Sequence, residues 1–79
     1  ELLDQFINRI KYADINFSQF LEGGWDSDRG KIYIIYGEPL TITFDFNQNG
    51  EFEIWSYKNN KQFIFINSYG IFELYNQYE

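Results

Sequence analysis

The chain has 79 residues, a net charge of −6, and neither cysteine nor histidine. That length suits one small domain, and the missing residue types exclude disulfide staples and Cys- or His-based zinc sites. Six basic residues against twelve acidic ones argue against nucleic acid and against an anionic membrane surface as partner.

From Leu3 to Leu21 the apolar residues Leu3, Phe6, Ile7, Ile10, Ala13, Phe17, Phe20 and Leu21 paint one stripe on a helix. The spacing predicts one amphipathic helix over 2–22, stopped by Gly23-Gly24, because glycine adopts the left-handed conformation used at helix ends. Residues 23–30 form a loop dense in special-purpose residues. The period then changes to two, which predicts strands near 31–36, 40–46, 51–57, 62–67 and 71–75. Gly37-Glu38-Pro39, Asn47–Gly50, Lys58–Lys61 and Ser68–Gly70 are the turns between them, rich in the residues that tolerate positive φ. Short connections force antiparallel neighbours. The expected fold is α+β in two layers, an N-terminal amphipathic helix packed on a four- to five-stranded antiparallel meander.

Strand parity assigns Ile32, Ile34, Ile42, Phe44, Phe46, Phe52, Ile54, Phe63 and Phe65 to one face. The other face holds Tyr33, Ile35, Trp55, Tyr57, Ile64 and Ile66 beside Thr41, Thr43, Asp45 and Glu53, too apolar for a solvated surface. Left bare, it would mark an interface. Other segments of a longer parent chain, or curling of the sheet, would also account for it. No apolar run has the length of a membrane span or a signal peptide, so no direct membrane insertion is expected. A start at Glu1 with no Met anywhere suggests a piece of a longer product.

Gly24-Trp25-Asp26-Ser27-Asp28, followed by Arg29-Gly30-Lys31-Ile32-Tyr33-Ile34 and Tyr36-Gly37-Glu38-Pro39, resembles the GWxTD domain, a family of bacterial, mostly envelope-associated proteins named for this pentapeptide. Ser27 stands for the usual Thr and keeps the hydroxyl, whereas Glu38 departs from the Pro often seen there. Arg9, Tyr12, Ala13 and Phe17 are similar to the family's helix positions. Glu53, Trp55 and Tyr57 are similar to its Glu-x-Trp-x-Tyr strand, and Phe63, Phe65, Gly70 and Leu74 to its closing hairpin. The resemblance implies a cell-envelope or periplasmic setting and no particular activity or cofactor.

The motif loop has a structural and a functional reading. Asp26, Ser27 and Asp28 can accept backbone N–H groups, Arg29 can pair with a carboxylate, and Trp25 can bury its ring as an anchor. Alternatively, Asp28 and Arg29 face outward to grip a partner. Salt-bridge networks mimic functional clusters, which favours the structural reading. Catalysis has little support. Ser27 lacks a histidine base, and Asp26, Asp28, Glu38, Glu51 and Glu53 are acids expected by chance in so acidic a chain. Asp45–Gly50 matches half of a calcium loop, yet Ser56 stands where its bidentate Glu belongs, so a hairpin turn is expected and no metal. Tyr33, Trp55, Tyr57 and Tyr75 could stack on sugars or hold a peptide, or simply furnish a half-buried sheet. A partner could also add a strand at the Ile71–Tyr75 edge. The candidate binding residues are Trp25, Asp28, Arg29, Tyr33, Trp55 and Tyr57. The expected role is a non-catalytic interaction or structural module of a larger envelope protein, its partner another protein or other segments of the parent chain. A carbohydrate- or small-ligand-binding domain is the alternative.

Overall fold

Leu2–Phe17 forms helix α1 in the computed structural model, which describes residues 2–19 and 22–78. Its stripe is buried only at the C-terminal end, at Ala13 and Phe17. The helix is shorter than the expected 2–22. Asn16 donates from Nδ2 to the Tyr12 carbonyl at 2.9 Å, and the Ser18 hydroxyl to the Asp14 carbonyl at 2.6 Å. Side chains that bond back to carbonyls four residues earlier compete with further helical turns. Gln19 and Glu22 then exchange backbone hydrogen bonds at 3.1 and 2.9 Å. Phe20 and Leu21, the rest of the expected last turn, lie outside the described residues.

A 3-10 turn at Gly24–Asp26 leads into helix α2, Asp28–Tyr36. The expected strand over 31–36 is therefore helical. Lys31–Tyr36 is apolar at so many positions that period alone does not separate strand from helix, and the ends decide it. Ser27 caps the N-terminus by accepting the Gly30 amide, and Asp28 lies in the first turn, where negative charge is favourable. At the other end Gly37 takes φ 81 and donates its N–H to the Tyr33 carbonyl at 2.7 Å. These caps override the strand preference of three isoleucines and two tyrosines.

The chain divides into two units, Glu1–Glu38 and Pro39–Glu79. The first holds α1 and α2; the second is an open four-stranded antiparallel sheet in the order β1-β2-β3-β4. Its strands are Thr41–Asn47, Gly50–Ser56, Gln62–Ser68 and Ile71–Tyr78. The α+β class and the antiparallel meander hold, with four strands.

Register corrects the expected faces. A two-residue loop, Gln48-Asn49, joins β1 to β2, so Asn47 faces Gly50, Phe46 faces Glu51 and Ile42 faces Trp55. Odd positions of one strand thus share a face with even positions of the next. One face carries Ile42, Phe44, Phe46, Glu51, Glu53, Trp55, Phe63, Phe65, Asn67, Phe72 and Leu74; Phe52 and Ile54 join Ile64 and Ile66 on the other. Phe65 pairs with Leu74 and Ile64 with Asn76, which leaves Tyr75 as the extra residue of a bulge. The Tyr75 ring meets Phe52 edge-on at 5.1 Å.

Gly30 tests the packing of the first unit. A Cβ there would sit 1.8 Å from the Gly24 carbonyl oxygen, a backbone atom. Gly30→Ala is expected to lower stability by about 1–3 kcal/mol through overpacking, read as an earlier midpoint in chemical denaturation.

Candidate functional site

The motif residues are organised around a hydroxyl. Ser27 is fully buried; its Oγ donates to the Gly24 carbonyl at 2.7 Å and accepts the Gly30 amide at 3.0 Å. Gly24 lies against α1 so closely that a Cβ would fall 1.8 Å from the Ala13 carbonyl oxygen. Its amide is bonded by Ser18 Oγ at 3.2 Å, and the Trp25 amide by Asp14 Oδ1 at 3.2 Å. The loop is thus bound to α1 through backbone groups.

Trp25 is not the buried anchor expected of it. The residue is 54% exposed, because the close contact is made by the glycine before it. Asp26 pairs with Lys31 at 3.9 Å, both exposed. Asp28 and Arg29 are half-buried, and the Arg29 guanidinium lies 5.0 Å from the Phe17 ring centroid, within cation–π range. Tyr33 stacks on Tyr12 with centroids 4.5 Å apart and planes 10° apart, and Phe17 contacts both rings at 5.8 and 5.7 Å. Arg9, a turn before Tyr12, sends Nη1 to the Ile34 carbonyl at 3.1 Å and to the Ile35 carbonyl at 3.5 Å. Those are orphan acceptors at the end of α2, where a cation is favoured. The structure therefore brings Arg29 and Tyr33 together around Phe17, with Asp28 at the start of the same helix.

Trp55 and Tyr57 belong to the sheet unit. Trp55 is fully buried, contrary to its expected place on an aromatic surface, since the register sets it beside Phe63 rather than Ile64. Its indole N–H donates to Glu53 Oε1 at 2.7 Å, and its ring meets Phe65 edge-on at 4.9 Å. Tyr57 is half-buried and contacts Phe63 at 5.8 Å.

Sequence reasoning missed the apolar end of the sheet. On edge strand β1, Phe44 and Phe46 are each 76% exposed, and Ile42 is also exposed. Phe44, Phe46, Glu51, Asn67 and Phe72 line a cavity of about 520 Å³, completed by Asp45 and Phe52. The alternation Ile42-x-Phe44-x-Phe46 on a terminal strand was the available signal. Asp45–Gly50 forms the hairpin turn expected of it, with Asn47 Oδ1 accepting the Asn49 amide at 2.7 Å. Among the described residues no helix is long and apolar enough to cross a membrane.

A family model, that of the GWxTD domain, matches residues 1–78. No curated protein and no solved structure is significantly similar to the chain.

Two measurements separate these roles. Trp55→Ala removes a fully buried ring and is expected to cost about 3–5 kcal/mol, enough to unfold a marginal domain in a urea titration. A folded, equally stable variant would contradict its place in the core. The Tyr33 pKa is raised above the ordinary 10.0, chiefly by burial and then by Tyr12 and Glu38, with Arg9 opposing. The fold favours the neutral phenol, so this stabilisation is full below pH 10.0 and is lost as pH rises through the raised value. Tyr33→Phe is expected to remove a phenolate absorbance phase above pH 10.0 and to flatten the alkaline loss of stability.

Proposed function

The chain belongs to the GWxTD domain family, and we propose that it is a non-catalytic protein-interaction module of a larger bacterial envelope protein, engaging its partner through the β1 end of the sheet. One observation carries this: a seven-residue edge strand exposed at every position, with Phe44 and Phe46 three-quarters open to solvent. Long, exposed, apolar edge strands invite pairing with another chain. The outer edge of β1 supports strand addition, in which backbone groups supply affinity and alternate side chains specificity. Ser27 is buried between two backbone groups and the chain has no histidine to activate it, which favours recognition over nucleophilic catalysis.

One observation favours the alternative, a carbohydrate- or small-ligand-binding domain. Trp25 is half exposed, with Asp14 and Asp26 nearby. An exposed indole beside carboxylates suits stacking on a sugar ring. A glycan array probed with the protein and with Trp25→Ala tests that reading.

The leading proposal is tested by placing a photo-crosslinking residue at position 44 of the full-length protein in its native bacterium, identifying the crosslinked protein, and purifying it. The expected result is direct binding to the purified partner, weakened about tenfold or more by Phe44→Asp with Phe46→Asp, since two anchors worth about 1 kcal/mol or more each are removed. No crosslinked protein, or unchanged affinity in the double variant, overturns it.

A further inference from the structure

Resting on the interaction-module reading, we propose that the turn end of the sheet binds an extended, basic segment of a partner protein. That segment inserts an Arg or Lys side chain between Phe46 and Phe72, onto the carboxylate of Glu51. The four strands place one residue each in a single cross-strand row: Phe46 faces Glu51, Glu51 faces Asn67, and Asn67 faces Phe72. Directly opposed residues point to the same side of a sheet. The row is thus a trough with an aromatic wall on each edge strand and a polar floor on the two central strands. Adjacent strands lie about 4.8 Å apart, so the walls stand on backbones roughly 14 Å apart, room for one inserted side chain and its flanking chain. The cavity of about 520 Å³ lies in the range of sites that enclose a ligand group.

The floor is built for a cation. Asn67 is held by the β3–β4 turn, its Oδ1 accepting the Gly70 amide at 2.8 Å, and its Nδ2 donates to Glu51 Oε1 at 3.1 Å. One donor orients the carboxylate, which has further lone pairs to offer. A guanidinium can take these in a bidentate pair while its stem and face lie on a phenyl ring. Charge distribution selects the same ligand. Asp45, Glu51 and Glu73 stand on the strands near the two tight turns, while Lys58 and Lys61, the basic residues of 39–79, sit in the connection at the opposite end. Glu51 stands on the trough's own face and Asp45 and Glu73 on the reverse face of the same end, so within 39–79 this end carries acids and no base, which favours a basic partner over an acidic one.

Tyr69 adds a second observation at the same end. It is a fully exposed aromatic at the tip of the β3–β4 turn, with φ 57. A bulky residue in the left-handed region is sterically disfavoured where Gly or Asn would sit without cost. A solvent-facing ring held at that cost, at the same end of the sheet as the trough, offers the incoming segment a further apolar contact.

The probe is a library of random ten-residue peptides, selected on the immobilised 79-residue chain. Enriched peptides are expected to carry Arg or Lys within an extended apolar pattern. Their affinity should fall about tenfold with Glu51→Gln, with Phe46→Ala, and with the basic residue changed to Glu, and should weaken as salt rises. Both protein variants alter solvent-exposed side chains, and unchanged thermal unfolding midpoints confirm that the sheet is intact. Enrichment of neutral or acidic peptides, no enrichment, or affinity indifferent to Glu51→Gln overturns the cation site. Neutral or acidic peptides lost with Phe44→Asp and Phe46→Asp would leave the interaction-module reading standing without it. The crosslinking result at position 44 decides that reading separately.

Discussion

The Ser27 hydroxyl, donating to the Gly24 carbonyl and accepting the Gly30 amide inside a fully buried pocket, sets the geometry of the first unit. It can do so because no side chain intervenes. Gly24 lies on the Ala13 carbonyl and Gly30 on the Gly24 carbonyl, each too near for even a methyl group. The backbones of α1, the 3-10 turn and α2 therefore meet directly, and the hydroxyl satisfies polar groups that such a contact would otherwise strand. The starting point of α2 in turn fixes the contacts along its length. Nearly two turns past the cap Tyr33 lands on Tyr12, and at the helix end the Ile34 carbonyl reaches Arg9.

This assigns unequal roles within a motif that looks uniform as a string. The glycine and the hydroxyl are structural, and the acids are peripheral to that contact. Asp26 makes an exposed ion pair with Lys31, of a kind worth little to stability. Trp25, the most conspicuous residue, faces solvent over half its surface. The Gly24 contact explains why Trp25 need not be buried: the backbone, not the indole, fills the joint. The exposed ring is then available for recognition without cost to the fold.

How much could be read beforehand depends on which signals were local. The stripe from Leu3 to Phe17 was legible because helical period needs no partner. The three hairpin connections were legible from Asn, Gly and Lys clusters. Lys31–Tyr36 was not, since Ile32, Tyr33, Ile34 and Ile35 satisfy either period. The deciding Ser27 cap is present in the sequence, but a serine between two aspartates serves an irregular loop equally well. Trp55 was misplaced for a different reason. Its side of the sheet depends on whether the preceding loop holds an even or odd number of residues, and one residue of error inverts a whole strand. Trp55 on β2 inherits that inversion, and Tyr33, expected on a strand face with Trp55 and Tyr57, instead lies on α2 in line with Asp28 and Arg29.

The same parity determines the chemistry at the open end of the sheet. Had Phe46 shared its face with Phe52, as an odd loop would arrange, that face would have continued as aromatic surface from β1 into β2. Such a patch binds any apolar partner with little discrimination and is prone to aggregation. The two-residue turn instead sets Phe46 opposite Glu51 and turns Phe52 toward Tyr75 on the reverse side. A carboxylate held by Asn67 now separates two phenyl rings that the strand order keeps at opposite edges. In the proposed interaction, the apolar walls would supply contact area and the charge between them would reject partners that cannot neutralise it. The mixed aromatic and acidic character of this end of the sheet is thus a consequence of loop length.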